Sequence, residues 1–406
     1  MELSDIDLLD RDMFTRGVPH EWFTYLRHNA PIYHHPEPDG GPGFWVITKY
    51  RDVYAVGRDA HTYSSDQDHG GVVGLEEVTV APPDYGDAKI MLTMDPPQHT
   101  RYRKLVNKGF TPRMINALEP LIRERSVKIL DDAIARGDCD FVVDVAAELP
   151  LQAIAELIGV PFEDRHKLFD WSNRMIGSED PEYMVAETDA FSAQFEMFVY
   201  AGELAEKRTA EPRDDIMSAL LAAEIEGDKL TPMEFNLFFL LLAVAGNETT
   251  RNAISHGLNA FLEHPEQYEE LVGDIDGVIP TATEEILRWA SPVMYFRRNV
   301  MQDTTLSGVD FKAGEKVSIW YCSANRDEEV FEDPFTFDVR RSPNEHLAFG
   351  GGGPHFCLGA SLARMEVRVL FEELAQRVPH LTRRGDTQPL RSNFIGGIKH
   401  LPVAFS

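Results

Sequence analysis

Cys357 stands in the run Phe349-Gly-Gly-Gly-Gly-Pro-His-Phe-Cys357-Leu-Gly359, and Ala360-Ser-Leu-Ala-Arg-Met-Glu-Val-Arg368, which reads as a helix, follows at once. A cysteine at that junction has its sulfur beside unpaired backbone N–H groups and the positive end of a helix. Both favour the thiolate, the form that binds metals. The glycines let the backbone pass against a flat, bulky object where a Cβ would collide, and Phe349 can lay an aromatic face beside it. That set suits a haem held through sulfur. A glycine-rich turn leading into a buried, inert cysteine would use the same residues.

A second constellation, Ala245-Gly246-Asn247-Glu248-Thr249-Thr250, places a small pair, an acid and two hydroxyls after an all-apolar stretch. Glycine inside a helix costs about 1 kcal/mol relative to alanine, and buried acids and hydroxyls cost more unless partnered. Their clustering marks a point where function overrides packing, or a kink held by packing alone. The Thr249 hydroxyl can bond back to the carbonyl one turn earlier and open the hydrogen-bond ladder into a groove.

The element carrying this hexapeptide begins at Thr231-Pro-Met-Glu234, a capping box with proline at the first helical position, and runs to Glu263 before His264-Pro265. Such a helix spans roughly 45–50 Å and must cross the core. Its apolar stretch, Leu237 to Gly246, is too short for a membrane span.

Asp95-Pro-Pro-Gln-His99-Thr-Arg-Tyr-Arg103 enters a helix with two cations four residues apart on one face, a pair suited to a dianion. Glu285-Ile-Leu-Arg288 is an acid–base pair one turn apart, most commonly a solvated ion pair.

Phe before a glycine run, His two residues before the Cys and Gly two after it resemble the haem-ligand signature of the cytochrome P450 family, and the resemblance extends over nearly the whole chain. Phe349 lies eight residues before Cys357, one more than in the commonest form of the signature. The longer loop resembles a bacterial subgroup acting on branched lipids and steroid side chains.

The resemblance implies haem b ligated by Cys357, with Phe349, Leu358 and Gly359 lining it. Its propionates would be shared by His99, Arg103, Arg298 and His355. Thr249 would hold oxygen over the distal face and Glu248 would relay protons to it. Glu285, Arg288 and Arg341 would lock the segment leading to the haem loop, with Arg340 as a competitor for the last place. None of these three is assigned a catalytic role.

Length and composition set the frame. The 406 residues contain no linker, repeat or low-complexity stretch, so one domain over 1–406 is expected. It is expected to be mainly α with a small β portion: helical over roughly 100–290 and 358–378, β-rich near 30–60, 293–320 and 385–406. Within these, Gly43 to Lys49 alternates as a strand and Thr304 to Trp320 reads as a hairpin about Lys312-Ala-Gly314. Three scattered cysteines and an N-terminus lacking a signal or anchor pattern fit a soluble, cytoplasmic, bacterial protein.

A net charge of −28 disfavours nucleic acid and anionic membranes. Against it, Arg101, Arg103, Lys104, Lys108, Arg113, Arg123, Arg125 and Lys128 crowd one helical stretch. With Arg364 and Arg368 they would ring the thiolate side and steer an acidic donor. The resemblance implies O2 as co-substrate and electrons from NAD(P)H through ferredoxin reductase and ferredoxin, since the chain carries no flavin- or nicotinamide-binding segment of its own.

The expected pocket walls are Leu241, Leu242, Val244 and Ala245 on the long helix, Val293, Met294 and Tyr295 after Ser291-Pro292, and Phe394-Ile395 near the C-terminus. Nearly all are apolar, which favours an extended hydrophobic substrate. The runs from Val244 to Asn252, Trp320 to Asp327 and Gly396 to Pro402 resemble bacterial enzymes that hydroxylate terminal carbons of methyl-branched lipids, isoprenoids or sterol side chains. A haem–thiolate sensor, another hydrophobic natural product as substrate, and a peroxide-driven or coupling enzyme of the same fold are the rival readings. The acid–alcohol pair argues against a sensor and against peroxide-driven chemistry.

Overall fold

The computed structural model describes residues 1–76, 85–107, 110–184, 189–213, 215–225 and 228–405. Its longer helices are α1 (His20–Asn29), α2 (Tyr50–Arg58), α3 (Gln98–Val106), α4 (Pro112–Arg136), α5 (Glu148–Ile158) and α6 (Arg165–Ile176). They continue as α7 (Asp189–Ala210), α8 (Ile216–Leu221), α9 (Pro232–Glu263), α10 (Pro265–Gly273), α11 (Ile275–Ala290) and α12 (Ala360–Arg377). Among the described residues no helix is long and apolar enough to cross a membrane.

The principal strands are β1 (Ile32–His35), β2 (Phe44–Ile47), β3 (Tyr63–Ser64), β4 (Asp138–Asp140), β5 (Tyr295–Val300) and β6 (Thr304–Leu306). After them come β7 (Val309–Phe311), β8 (Lys316–Trp320), β9 (Leu381–Arg383), β10 (Gln388–Pro389), β11 (Ile398–His400) and β12 (Pro402–Phe405). One five-stranded sheet runs β1-β2-β8-β5-β3, with β8 parallel to β2 and antiparallel to β5. A three-stranded sheet, β9-β12-β4, ties the C-terminus to the helical part.

Helix α9 starts where its sequence says. The Thr231 hydroxyl accepts from Glu234 N at 3.2 Å, and Glu234 Oε2 accepts from Thr231 N at 2.6 Å. Its 32 residues reach about 48 Å, and Phe235, Phe239, Leu258 and Phe261 are buried along it in the main apolar core. A second apolar cluster joins Trp22 and Phe23 of α1 to Met294, Tyr295 and Trp320. This cluster fastens the sheet to the N-terminal helix.

Three sequence expectations change. The hairpin turns at Ser307-Gly308, both with positive φ, and pairs β6 with β7. The Lys312-Ala-Gly314 turn instead delivers β8 to the larger sheet, because all five β8 residues are buried and need neighbours on both edges. The 30–60 stretch is β only at Ile32–His35 and Phe44–Ile47: Tyr50–Arg58 is helical, with Asp52, Val53 and Val56 turned inward. Finally, α9 is continuous through Gly246. The Thr249 hydroxyl donates to the Ala245 carbonyl at 2.8 Å. A carbonyl has two lone pairs, so this bond is made without breaking the ladder.

Candidate active site

The Cys357 loop is pinned at its neck: Cys357 N donates to the Phe349 carbonyl at 3.0 Å, and Gly350 N to Leu347 at 2.9 Å. Gly350, Gly352 and Gly353 have φ of 84°, 89° and 77°. The run packs on α2: a Cβ on Gly353 would lie 2.8 Å from the Gly57 carbonyl, and one on Gly351 would lie 2.8 Å from the Tyr54 ring. The glycines therefore answer to α2 and to left-handed backbone, and Gly359 alone borders open space.

The Cys357 side chain opens onto space inside the fold, although protein surrounds the sulfur closely. That burial raises its pKa; the N–H groups of Gly359 and Ala360 and the charges of Arg103 and Arg364 act the other way. The helix end and loop donors are present as expected, and desolvation outweighs them. A cation at the sulfur would reverse this, since a coordinating thiol is deprotonated outright. Among the described residues no group of three or more His, Cys, Asp or Glu is placed to hold a metal ion. A metal at Cys357 must bring its other ligands with it, as a porphyrin does.

Four basic side chains, His99, Arg103, Arg298 and His355, converge about His355. His99 on α3 and His355 in the loop have ring centroids 4.3 Å apart. His99 Nδ1 and His355 Nε2 are buried without a hydrogen-bond partner. Burial and then Arg103 lower the His99 pKa to about 4; burial, Arg298, His99 and Arg103 lower that of His355 to about 2. Arg298 on β5 is 3% exposed and donates to the Arg297 carbonyl at 2.7 Å. Two imidazole nitrogens buried without a partner, beside two guanidiniums, fit a dianion such as a pair of propionates. Asp95 braces the start of α3, accepting from Ser65 N at 2.9 Å and the Ser64 hydroxyl at 2.5 Å.

On α9, Ala245 is exposed in the middle of an otherwise buried helix, and Leu241, Val244 and Thr249 are partly so. Spacings of three and four put them on one face, which borders open space. Leu242 falls 100° off that face and is 6% exposed within the core. Met294 and Tyr295 (0% and 2% exposed) pack into the N-terminal cluster, where Tyr295 meets Trp320 at 4.8 Å, and Ile395 is also buried. These four expected wall residues are packing residues. Val293 and Phe394 remain partly open. Their segments are joined by the Val293–Ile395 bridge and the Met294 N to Phe394 O bond at 2.9 Å. The same turn is tied to α9 by His256 Nε2 and the Gly396 carbonyl at 2.9 Å.

Glu248 is 2% exposed and turned toward α6. Arg251 Nη2 donates to its Oε2 at 2.5 Å, and Arg251 Nη1 reaches Asn173 at 2.7 Å. Burial raises the Glu248 pKa and Arg251 opposes the rise. Sequence reading missed Arg251, although it sits three residues after the acid, the spacing that pairs side chains on a helix. It also missed Glu366 on α12, a buried carboxyl bonded to Thr250 whose pKa is raised to about 8 by burial. Glu366 looks like any polar residue on an amphipathic helix.

Glu285 and Arg288 are both 0% exposed and bonded at 2.7 and 2.8 Å. Arg341 Nε reaches both Glu285 oxygens, at 3.3 and 3.2 Å, whereas Arg340 pairs with Glu270 and Asp274 at the surface. On the thiolate side, Arg364 is held by Glu284 at 2.7 Å and lies over Phe349 at 4.5 Å. Arg123 and Arg368 are likewise paired with Glu119 and Glu372. The basic patch is thus weaker than its sequence suggests, because α12 and Glu284 supply acids that lie far away in the chain. Lys104 and Arg113 are exposed and have no ion-pair partner among the described residues; Lys108 lies outside them. Arg101 is partly buried.

A long core-crossing helix packed on the helix that follows a cysteine loop, in a mainly helical protein with small sheets, is the architecture of a large class of oxygen-using enzymes. The family model for cytochrome P450 matches residues 151–400, and this chain belongs to that family, whose members are haem–thiolate monooxygenases using O2. It is 45% identical to a steroid C26-monooxygenase of Mycolicibacterium smegmatis, covering 99% of this chain and 94% of the relative. It is 43% identical to a methyl-branched lipid omega-hydroxylase of Mycobacterium tuberculosis, covering 100% and 95%. A Mycobacterium marinum cytochrome P450 solved with pseudoionone superposes with a TM-score of 0.92 at 39% identity, covering 98% of each chain.

Proposed function

We propose that this chain hydroxylates a terminal carbon of a methyl-branched lipid, isoprenoid or steroid side chain. The observation that carries the substrate class is the near-full-length likeness to two relatives, one named for C26 of a steroid and one for the omega position of a methyl-branched lipid. The open face of α9 is consistent with it: Leu241, Val244 and Ala245 are apolar, and no charged side chain stands among them to anchor a polar head.

In this reading Cys357 ligates haem b, Phe349, Leu358 and Gly359 line it, and His99, Arg103, Arg298 and His355 hold its propionates. The bound haem supplies the activation of O2. Thr249 holds a proton at its hydroxyl, now given to the Ala245 carbonyl, and turns it to the reaction face. Glu248 renews that proton after swinging away from Arg251. The apolar wall keeps water from the substrate chain. Electrons come from NAD(P)H through a ferredoxin that docks at Lys104 and Arg113, in the cytoplasm of a bacterium.

The test is optical titration of the holoenzyme with cholest-4-en-3-one, a methyl-branched fatty acid, an acyclic terpenoid and a compact polar aromatic. The expected result is a substrate-type shift with the first three and hydroxylation at a chain end. A shift only with the polar aromatic overturns the assignment.

A further inference from the structure

The turn Gly177–Tyr183 follows α6 and reaches back over α9. Asp180 N donates to the Gly177 carbonyl at 2.9 Å, and Tyr183 N to Asp180 at 3.1 Å. Tyr183 folds onto the end of α6, so closely that a Cβ on Gly177 would lie 2.5 Å from its ring. It is partly buried, near enough to Arg251 and Glu248 for their charges to act on it. The turn therefore lies beside the Glu248–Arg251 pair of α9, at the end of α6.

The turn is fastened from the other side by the C-terminal segment, which also carries Phe394. Arg391 N donates to Asp180 Oδ2 at 2.9 Å, and Arg391 Nη1 to the Glu179 carbonyl at 2.8 Å. Lys399 Nζ meets Asp180 at 3.0 Å and Glu182 at 2.8 Å. His400 lies between two carboxylates, Nδ1 to Asp140 Oδ2 at 2.5 Å and Nε2 to Glu182 Oε1 at 2.7 Å. Arg11 adds a bond to Glu179 at 2.7 Å.

A neutral imidazole has one N–H and one lone pair, so it can satisfy only one of two flanking carboxylates. The other would face a lone pair. Only the imidazolium donates to both. The geometry at His400 is thus that of a charged ring, and its deprotonation must release either Asp140 or Glu182.

We propose that Lys399 and His400 are positioning residues that hold the Glu179–Tyr183 turn closed over the substrate chamber. Loss of the His400 proton loosens the turn and speeds substrate exchange. The second half rests on the reading of the chamber given above; the fastening itself does not.

The charged groups facing His400 are Asp140 on β4, Glu182 on the turn and Lys399 beside it. Asp144 lies behind Asp140, taking its backbone N–H at 3.0 Å, and is paired with Arg136 at 3.1 Å. The residue opposite on β10 is uncharged Gln388. Asp140 and Glu182 raise the His400 pKa above its ordinary value against its partial burial, and Lys399 and His400 lower that of Glu182. The fastening is therefore complete at mildly acidic and neutral pH and weakens as pH rises through the raised imidazole value.

Hydrogen exchange over residues 177–184 in wild type, His400→Gln and Glu182→Gln at pH 6 and pH 8.5, together with stopped-flow dissociation of cholest-4-en-3-one, tests this. The expected result at pH 6 is exchange about tenfold faster in both variants, the size set by one charge-assisted hydrogen bond. At pH 8.5 wild type approaches the variants, and ligand dissociation follows the same pattern at unchanged haem content. Equal exchange in wild type and variants at both pH values overturns the fastening. A pH step in exchange without a step in dissociation overturns the roof over the chamber. If the sterol does not bind, the substrate reading fails while the exchange data still decide the fastening.

Discussion

His99 and His355 face each other with ring centroids 4.3 Å apart, and each keeps one buried nitrogen unpartnered. Residues distant in sequence have been brought together with Arg103 and Arg298 and partly or wholly removed from water, which disfavours charge on every one of them. Such a cluster is stable when an anion completes it.

His99→Phe and His355→Phe should each weaken haem retention by roughly tenfold or more, the scale of a lost charge-assisted hydrogen bond. The haem-to-protein absorbance ratio after dialysis against a haem acceptor checks this. Retention equal to wild type in the double variant would remove both residues from the propionate site. Cys357→His should separately abolish the strongly red-shifted Soret band of the reduced carbon monoxide form.

Thr249→Ala removes the hydroxyl now bonded to Ala245. The variant should still consume reduced cofactor but release peroxide in place of hydroxylated product. The ratio of peroxide to product measures it, and unaltered coupling would contradict the role of Thr249.

Arg288→Ala strands Glu285 in a fully buried position, and a loss of about 3–5 kcal/mol is expected for a broken buried pair. Arg341→Ala should cost less, because Arg288 and Asn344 still bond Glu285. Arg340→Ala should leave the unfolding midpoint where it is. Urea denaturation of the three holoproteins ranks them.

Glu366 has a folded pKa of about 8, well above the ordinary carboxyl value. Its contribution to stability is full below that ordinary value and is lost as pH rises toward 8, where the buried group must charge. Wild-type stability should fall between pH 5 and pH 8.5, and Glu366→Gln should flatten that part of the profile. Parallel thermal scans of the two proteins decide it.

Charge reversal at Lys104 and Arg113 should slow reduction by the electron donor about tenfold at low salt, and less at high salt, with substrate affinity unchanged. Arg364→Gln should do less, since Glu284 already balances it. Stopped-flow reduction across an ionic-strength series provides the comparison.

Much of this was written in the chain because it is local. The capping box at Thr231 and Glu234 starts α9, the back-bond from Thr249 to Ala245 is one helical turn, and the Cys357 loop is a contiguous motif. Local spacing also separates Leu241, Val244, Ala245 and Thr249, on one face, from Leu242 on another.

What the sequence by itself determined was the set of reactive groups and the elements bearing them. The tertiary structure decided which partners those groups meet. It turned Glu248 toward Arg251 and Asn173, buried Met294 and Tyr295 against Trp320, set the glycine run against α2, and paired Arg123, Arg364 and Arg368 with Glu119, Glu284, Glu372 and Glu373. The physical reason is that burial and charge pairing depend on what lies across a contact, and those neighbours come from segments far away in the chain. Cys357 shows both halves: its motif was legible at once, while the desolvation that raises its pKa exists only in the folded protein.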